Sequence, residues 1–418
     1  MKTIKTFTGR IMILTLASLL LSGISYSQDF WQQTEMPPHL SIWSLVADHQ
    51  GNVFAGGYGQ GLFKSSDHGI TWDSSGMTGY WVVSLAVNSS GDLFLAGIGG
   101  TWGSGIFKSS DHGESWTKIF GFDNDYAGFN FVYVGTDNSV WTGLNYSPEV
   151  NGIYRSVDNG STWEKVFTDT QNFSSMVMTE DGKVYAAAYG RIYYSHDGGN
   201  SWNYSETGLV PCTIPTMTTD VNGKVYAATA GYGIYRTDDD GLSWTMVKGA
   251  GPDYSCLIVD ADNNFYVASR GYWVYRSTDN AETWQLLKDG LTNKYVLSLT
   301  IDDAGYLYAG TDTSGVFRSK EKVVSGIKTH DELTIKELSL FPNPAHGQLT
   351  ITYSLARSSQ VALTIYDNNG KTLKNIIEGK KIKGKHETRV NVSDLPPGVY
   401  LCVVRAGNAK TESTFVIR

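Results

Sequence analysis

An eight-residue pattern recurs along the first 320 residues and constrains the fold of this chain more than any other feature. Each copy starts with Ser or Thr and has Asp at its third position, Gly or Ala at its fifth and Trp at its eighth. The copies span residues 65–72, 109–116, 156–163, 195–202, 237–244 and 277–284. The tryptophans follow one another at intervals of 44, 47, 39, 42 and 40 residues. A period near 40 residues, in a chain with 46 glycines and many strand formers, is typical of β-propeller blades.

Two short apolar runs precede each copy and predict a pair of strands. In one repeat the runs are Val225–Ala228 and Ile234–Arg236, and an Asn-Gly pair just before them is typical of a hairpin turn. Seven such pairs occur, but the last one ends near Val316 without a Trp-bearing outer strand. The segment Asp29–Gln33 resembles that missing strand. The sequence therefore predicts an all-β fold, a seven-bladed β-propeller that Asp29–Gln33 closes by pairing beside Val316.

The repeated pattern resembles the Asp-box, or BNR repeat, of sialidase-like propellers over roughly residues 40–320, within a predicted propeller domain over residues 28–320. An Asp in a turn accepts backbone N–H groups, Gly permits a positive φ, and Trp buries a large ring. We therefore interpret the copies as structural turns, because six repeats of one catalytic or metal site would be unusual. The structural residues are Asp67, Trp72, Asp111, Trp116, Asp158, Trp163, Asp197, Trp202, Asp239, Trp244, Asp279 and Trp284.

The C-terminal part of the chain carries a second set of motifs. A polar linker over residues 321–338 is followed by Phe341-Pro342-Asn343-Pro344, the segment Asp394–Tyr400 and a last apolar run. In this order the motifs resemble the type A C-terminal sorting domain of the type IX secretion system, over residues 339–418. The resemblance implies a small Ig-like β-sandwich that routes the chain across the outer membrane through the type IX machinery. It also implies cleavage of this domain during export, which leaves the body released or attached to the cell surface.

The first 27 residues are typical of a secretory signal peptide. Lys2, Lys5 and Arg10 precede an apolar run over residues 11–21, which is too short to span a membrane, and small residues follow it. No other segment is apolar for long enough to cross a membrane. The sequence predicts export by the Sec route and an extracellular or outer cell-surface location.

Charge and cysteine usage exclude several classes of partner. Residues 28–320 contain 16 Lys and Arg against 32 Asp and Glu, whereas residues 321–418 contain 14 against 9. An acidic body argues against nucleic acid, because phosphate binding requires basic patches. Cys212, Cys256 and Cys402 show no zinc spacing, and they are either small buried side chains or include one Cys212–Cys256 disulfide. No metal and no cofactor is expected.

Aromatic residues collect at one predicted rim of the propeller, where first strands begin and second strands turn into third strands. Flat rings on a concave surface bind sugar faces or apolar peptide groups, although such rings also pack between blades. The candidate ligand-binding residues are Trp43, Tyr58, Trp81, Trp102, Tyr126, Tyr146, Tyr189, Tyr232, Tyr272 and Trp273, with Tyr254 and Tyr295 near them. This distribution predicts a binding module for a glycan or an extracellular protein.

Catalysis has weaker support, and no catalytic residue can be assigned. A glycosidase requires two carboxylates at a defined separation, and nothing in the sequence pairs any two candidates on this rim. Those candidates are Asp123, Asp125, Glu149, Asp253 and Asp312. A sialidase requires converging arginines, but only Arg191 and Arg270 fall on this rim, whereas the third-strand arginines point towards the opposite end. A glycoside hydrolase acting on an extracellular polysaccharide and an envelope assembly scaffold remain the alternative functions.

Overall fold

The computed structural model describes residues 29–100, 103–121, 128–145, 149–169, 171–248, 251–324, 335–355, 359–367, 371–382, 384–406 and 409–418. Over these residues the chain forms 35 β-strands and no helix, which confirms the all-β prediction. No described segment forms a helix that could cross a membrane. The predicted signal peptide, residues 1–27, lies outside the described residues.

Seven four-stranded antiparallel sheets account for residues 31–319. We number them in chain order, and each runs from its inner first strand to its outer strand. Sheet 1 contains β2 (Ile42–Ala47), β3 (Val53–Gly57), β4 (Gly61–Ser65) and β5 (Asp73–Ser74). Sheet 2 contains β6 (Tyr80–Val87), β7 (Leu93–Gly99), β8 (Gly105–Ser109) and β9 (Thr117–Gly121). Sheet 3 contains β10 (Gly128–Val134), β11 (Val140–Asn145), β12 (Gly152–Ser156) and β13 (Glu164–Phe167).

The remaining sheets of the body repeat this order. Sheet 4 contains β14 (Ser175–Met178), β15 (Val184–Ala188), β16 (Arg191–Ser195) and β17 (Asn203–Ser205). Sheet 5 contains β18 (Thr216–Thr219), β19 (Val225–Ala228), β20 (Ile234–Arg236) and β21 (Thr245–Lys248). Sheet 6 contains β22 (Asp253–Val259), β23 (Phe265–Arg270), β24 (Trp273–Ser277) and β25 (Gln285–Leu287). Sheet 7 contains β26 (Val296–Ile301), β27 (Leu307–Thr311), β28 (Val316–Ser319) and, as its outer strand, β1 (Trp31–Gln33).

The N-terminal strand completes the last sheet, as the missing outer strand predicts. Trp31 pairs with Ser319 and Gln33 with Phe317 in antiparallel register. The first strands of the seven sheets contact one another in sequence order, and β26 of sheet 7 contacts β2 of sheet 1. The Ser298 hydroxyl donates a hydrogen bond to the carbonyl of Ile42 across this last junction, at 3.3 Å. The inner strands therefore form a closed cycle, as in a β-propeller.

Each eight-residue turn is held by its Asp. In the third copy the Ser156 hydroxyl donates to Asp158 Oδ1 at 2.8 Å, and the Thr162 backbone N–H donates to the same oxygen at 2.8 Å. The Thr162 hydroxyl donates to Asp158 Oδ2 at 2.6 Å. These donors lower the pKa of Asp158 to about 2, because they stabilise the carboxylate. The structural interpretation of these turns is consistent with this geometry.

The fifth residue of the turn joins one sheet to the next. Gly199 has φ +90°, and a Cβ there would lie 2.5 Å from Cη2 of Trp141 in the preceding sheet. The Arg155 guanidinium lies 5.5 Å from the centroid of the same ring and donates to the carbonyl of Gly198 at 2.6 Å. The turns of sheets 1, 2 and 5 cover rings of the preceding sheets in the same way, because a Cβ at Gly69, Gly113 or Gly241 would lie within 2.8 Å of Tyr308, Phe54 or Tyr185.

The tryptophans of the turns are less uniformly buried than the sequence predicts. Trp72 and Trp244 are buried, whereas Trp116, Trp163, Trp202 and Trp284 are half-buried. The half-buried tryptophans directly precede the outer strands, and part of each side chain is exposed to solvent. Trp163 stacks on Phe120 with ring centroids 4.9 Å apart.

Residues 335–418 form a separate β domain. It contains β29 (Ile335–His346), β30 (Gln348–Leu355), β31 (Ser359–Tyr366), β32 (Thr372–Lys381), β33 (Gly384–Asn391), β34 (Gly398–Ala406) and β35 (Ala409–Ile417). The strand order is β32-β31-β34-β35-β29-β30-β33, and β29 connects the two halves because it pairs with both β30 and β35. Leu349, Ile351, Leu363 and Val404 lie in one core drawn from both halves.

All three cysteines are free thiols, so the alternative of a Cys212–Cys256 disulfide is wrong. Cys212 and Cys402 are buried and Cys256 is partly buried. Burial raises the pKa of the Cys256 thiol to about 11 and that of Cys402 to about 12, which makes both poor nucleophiles.

Candidate functional site

The rim at which first strands begin is aromatic in the structure as well as in the sequence. Six of the ten candidate rings are exposed: Trp43, Tyr58, Trp81, Tyr189, Tyr232 and Tyr272. Trp273 is half-buried, and Trp102, Tyr126 and Tyr146 lie outside the described residues. Of the two neighbouring tyrosines, Tyr295 is exposed, whereas Tyr254 is only 1% exposed and is a core residue.

Three of these rings stack into one continuous group, which we call the aromatic ladder: Trp43, Tyr58 and Trp81. The centroids of Trp43 and Tyr58 lie 4.5 Å apart with an interplanar angle of 22°. The centroids of Tyr58 and Trp81 also lie 4.5 Å apart, at 31°. The exposed fractions are 40%, 40% and 41% in that order, so stacking leaves a large part of each ring in contact with solvent. The ladder joins sheet 1 to sheet 2.

Backbone irregularities place the ladder. Ile42 pairs with Gly57 and Ser44 with Gly56, so Trp43 is the extra residue of a β-bulge, which redirects its side chain. The Trp43 indole N–H donates to the Ser41 hydroxyl at 3.1 Å. Gly59 adopts φ +73°, and a Cβ there would lie 3.4 Å from Nε1 of Trp81. Glycine at position 59 permits the positive φ of the turn that brings Tyr58 beside the ring of the next sheet.

The surroundings of the ladder are polar but uncharged. Segments 37–44, 55–62, 76–84 and 95–100 contain no Asp, Glu, Lys or Arg. We call this part of the rim the neutral sector. His39 and Gln60 lie within it, and the Gln60 amide donates to the His39 carbonyl at 3.4 Å. Neutral hydrogen-bonding groups beside exposed rings are the usual composition of a small-molecule or sugar site.

The rest of the rim combines rings with charges. The Arg191 guanidinium lies 4.5 Å from the centroid of Tyr204 and 3.4 Å from the Glu206 carboxylate. Arg270 lies 3.8 Å from Asp253, and the backbone of Gly271 donates to the Lys294 carbonyl at 3.2 Å. This side of the rim therefore differs in chemistry from the neutral sector.

The structure describes three of the five predicted carboxylates, Glu149, Asp253 and Asp312, and the backbone carbonyl of Glu149 accepts a hydrogen bond from the Lys165 ammonium at 3.0 Å. Asp123 and Asp125 lie outside the described residues, Asp253 faces Arg270, and Asp312 lies on sheet 7 in the turn before β28. Within the described parts of the chain, no group of three or more His, Cys, Asp or Glu side chains could hold a metal ion.

The third-strand arginines point towards the eight-residue turns, as expected, and they are already engaged. Arg276 lies 5.6 Å from the ring centroid of Tyr266, and Arg318 lies 3.8 Å from that of Tyr306. Arg236 contacts Asp238 at 2.7 Å. These contacts give the arginines a structural role near the eight-residue turns. The arginines therefore do not contribute to the aromatic rim.

Sequence reasoning missed a cleft of about 520 Å³ between sheets 4 and 5, at the end opposite the aromatic rim. Lys183 contacts Asp240 across the cleft at 2.7 Å and Asp181 of its own turn at 3.1 Å, and Lys224 contacts Asp238 at 2.6 Å. The charges lining the cleft largely satisfy one another. The cleft forms between turns of two neighbouring repeats, so no single sequence motif predicts it.

Comparisons with known proteins agree with this division of the chain. Residues 339–418 match the family described as the secretion system C-terminal sorting domain. No curated protein matches the chain.

Solved structures show the fold of the body. PorZ, a surface component of the type IX secretion system of Porphyromonas gingivalis, is similar at 16% identity with a TM-score of 0.55. The match covers 92% of this chain, which spans only 60% of PorZ. YCF48 bound to D1 peptide is similar at 16% identity and a TM-score of 0.56, covering 70% of this chain and 96% of YCF48. Virginiamycin B lyase from Staphylococcus aureus is similar at 12% identity and a TM-score of 0.57, covering 69% and 98%. The chain therefore combines a β-propeller fold with a C-terminal sorting domain of a secretion system.

Proposed function

We propose that this protein is a cell-surface binding module that the type IX secretion machinery exports and that recognises a glycan through its aromatic rim. The observation that carries the proposal is the aromatic ladder. Three large rings that are each about 40% exposed and stacked across two sheets form an unusual surface for a soluble protein. Exposed rings of this kind stack on the apolar faces of sugars.

The ladder is suited to binding because its rings are held before a ligand arrives. Each indole is fixed by Tyr58, and Trp43 is also fixed by its hydrogen bond to Ser41. Preorganised side chains lose little rotamer freedom on binding, so more of the contact energy appears as affinity.

The location follows from the sorting domain at residues 339–418 together with the expected signal peptide at residues 1–27. A Sec signal would bring the chain to the periplasm, and the sorting domain would address it to the type IX machinery. PorZ of P. gingivalis, a surface component of that system, has a similar fold, which supports a surface location.

The finer description of the fold belongs to the same proposal. We take the seven sheets as the seven blades of one closed propeller, with Asp-box turns between third and outer strands, and residues 339–418 as an Ig-like sandwich. The closed cycle of inner strands and the repeated hydrogen bonds to Asp158 and its equivalents support this description.

The alternative of a glycoside hydrolase is less well supported at the ladder. Its surrounding segments contain no Asp or Glu, so an acid and a base would have to come from elsewhere. A protein ligand is a second outcome that the experiment below must be able to reveal. YCF48, which has a similar fold, has been solved with a bound peptide.

The experiment is a glycan-array screen of the purified protein, with reducing-sugar release followed in parallel. Trp81→Ala should lose affinity for the glycan that binds while its melting temperature stays close to that of the wild type, because a ring at a wet rim contributes little to the fold. Tyr204→Ala, which removes an exposed ring on the outer strand of sheet 4 outside the candidate ligand-binding set, is the control. Absence of glycan binding, or equal losses of affinity in both variants, would contradict the proposal.

A further inference from the structure

The distribution of charge around the rim narrows the class of ligand. The neutral sector contains no Asp, Glu, Lys or Arg, although the body as a whole has 16 basic and 32 acidic residues. At the opposite end of the same two sheets, the loops and strand ends carry Asp48, Lys64, Asp92 and Lys108. Charge is therefore absent from the segments that carry the aromatic ladder. On the outer strand β9, Lys118 extends to the same end of sheet 2, since a Cβ at Gly105 would lie 2.7 Å from its Cε.

A charged ligand would meet no counter-charge within the neutral sector itself. Binding would remove water from its carboxylate or sulfate groups without replacing those contacts by a Lys or Arg, which is unfavourable. The acidic body would also repel polyanions before they reach the surface. An uncharged ligand avoids both penalties, and its hydroxyl groups can use the amide of Gln60, the imidazole of His39 and the hydroxyl of Ser41.

The stacking assigns different roles to the three rings. Tyr58 lies 4.5 Å from both indoles, so its faces are occupied by Trp43 and Trp81. Each indole has one such neighbour within the ladder and is about 40% exposed, so we expect a sugar to stack on the indole face away from Tyr58. Tyr58 therefore acts as a spacer that fixes the two indoles, and it differs in this from the other candidate rings.

We infer that the aromatic ladder binds an uncharged glycan, which stacks on the outer faces of Trp43 and Trp81, with Tyr58 as the positioning residue between them. This inference rests on the proposed function, because it specifies the glycan that the rim binds. It also places the site on sheets 1 and 2, whereas Arg191 lies on sheet 4 and Arg270 on sheet 6.

The test uses the full chain and two sets of soluble polysaccharides. Laminarin, mannan and xyloglucan are the uncharged probes, and polygalacturonate and alginate are the acidic ones, each measured at low and at high salt. The inference expects binding to at least one uncharged probe with an affinity that salt leaves unchanged. Binding only to acidic probes, or binding that salt abolishes, would overturn the inference and leave the proposed function standing. Binding to no glycan in either set or on the array would overturn the proposed function itself.

The role of Tyr58 is tested separately with the uncharged probe that binds. Tyr58→Ala should weaken affinity about tenfold, which corresponds to about 1.4 kcal/mol, and should reduce the near-ultraviolet circular dichroism of the stacked indoles. Tyr58→Phe keeps the ring and should restore both readouts. Tyr204→Ala, which removes an exposed ring on the outer strand β17 outside the candidate ligand-binding set, should leave affinity unchanged. Wild-type affinity in Tyr58→Ala, or loss of affinity in Tyr204→Ala, would refute this assignment.

Discussion

Nδ1 of His68 lies 3.0 Å from Oδ2 of Asp302, although 234 residues separate them in the chain. His68 belongs to the eight-residue turn of sheet 1 and Asp302 to the first turn of sheet 7. The Asp302 side chain is fully buried, and Tyr308 donates its hydroxyl to the same oxygen at 2.7 Å. Nearby, the backbone of Glu35 donates to Ile70 at 2.9 Å, so the segment that follows β1 also reaches sheet 1. Several specific contacts therefore join sheet 1 to sheet 7, the first and last sheets of the propeller.

Replacing His68 with Ala should lower the free energy of unfolding by about 1–2 kcal/mol, because one partner of a buried carboxylate is lost. His68→Asn is the matched control. Asn tolerates the positive φ of 57° at this position, and in sheet 3 Asn159 donates to Asp92 from the same place at 2.6 Å. Urea unfolding should therefore give near wild-type stability for His68→Asn. Equal stabilities of the two variants would show that the contact does not hold the junction.

Gly199→Ala should destabilise the protein more than Gly198→Ala by about 1–3 kcal/mol. Both glycines have positive φ, +71° for Gly198 and +90° for Gly199, so both substitutions carry the same kind of backbone strain. Only at Gly199 would the new Cβ meet the ring of Trp141, whereas nothing lies within 4 Å of the corresponding position at Gly198. Chemical denaturation of the two variants gives their free energies of unfolding. The difference between them reports the packing against Trp141, because backbone strain is common to both. Equal losses would mean that the ring does not require a glycine above it.

The Asp carboxylate of each eight-residue turn should make the free energy of unfolding decrease at low pH. Hydrogen bonds from Thr162, first its hydroxyl and then its backbone N–H, lower the pKa of Asp158 from 3.8 to about 2, and Asp111 and Asp279 are lowered to about 2 by equivalent donors. The unfolded chain therefore takes up these protons first as the pH falls. The contribution of the carboxylates is complete above pH 4 and should be lost between about pH 4 and pH 2. Asp158→Asn should flatten the loss of melting temperature over this range, and Asp73→Asn on the exposed strand β5 should not. A wild-type slope in Asp158→Asn would contradict this account.

The sequence predicted the parts of this molecule that depend on local repetition. The turn residues around Asp158, and the pairing of Trp31–Gln33 with β28, followed from the period and from the one missing outer strand. The aromatic ladder could be predicted only as separate exposed rings. The three rings come together because of the bulge at Trp43 and because the Gly59 turn reaches the next sheet. Neither feature can be read from the sequence of a single repeat. The cleft between sheets 4 and 5 was missed for the same reason.

Closure of the last sheet by β1 should make Trp31 critical for stability. Its side chain is 1% exposed, and its indole donates to the Leu287 carbonyl at 3.0 Å, which ties β1 to sheet 6 as well as to sheet 7. Trp31→Ala should cost about 3–5 kcal/mol, as large aromatic truncations in cores do. Gln32→Ala, on the other side of the same strand, should stay within about 0.5 kcal/mol of the wild type. Similar melting temperatures for both variants would mean that β1 adds little to the ring.

Deleting residues 335–418 should leave a folded propeller that is retained in the periplasm. The C-terminal domain has its own core, which includes Leu349 and Val404, and the clusters of the seven sheets contain no residue of that domain. The propeller should therefore keep its melting temperature without residues 335–418. Export across the outer membrane should be lost, because residues 339–418 match a secretion system sorting domain. Fractionation of cells and medium, with the full chain as reference, measures the distribution. Truncated protein in the medium or on the cell surface in normal amounts would refute the sorting role. A truncated body that fails to fold would instead refute the independence of the two cores.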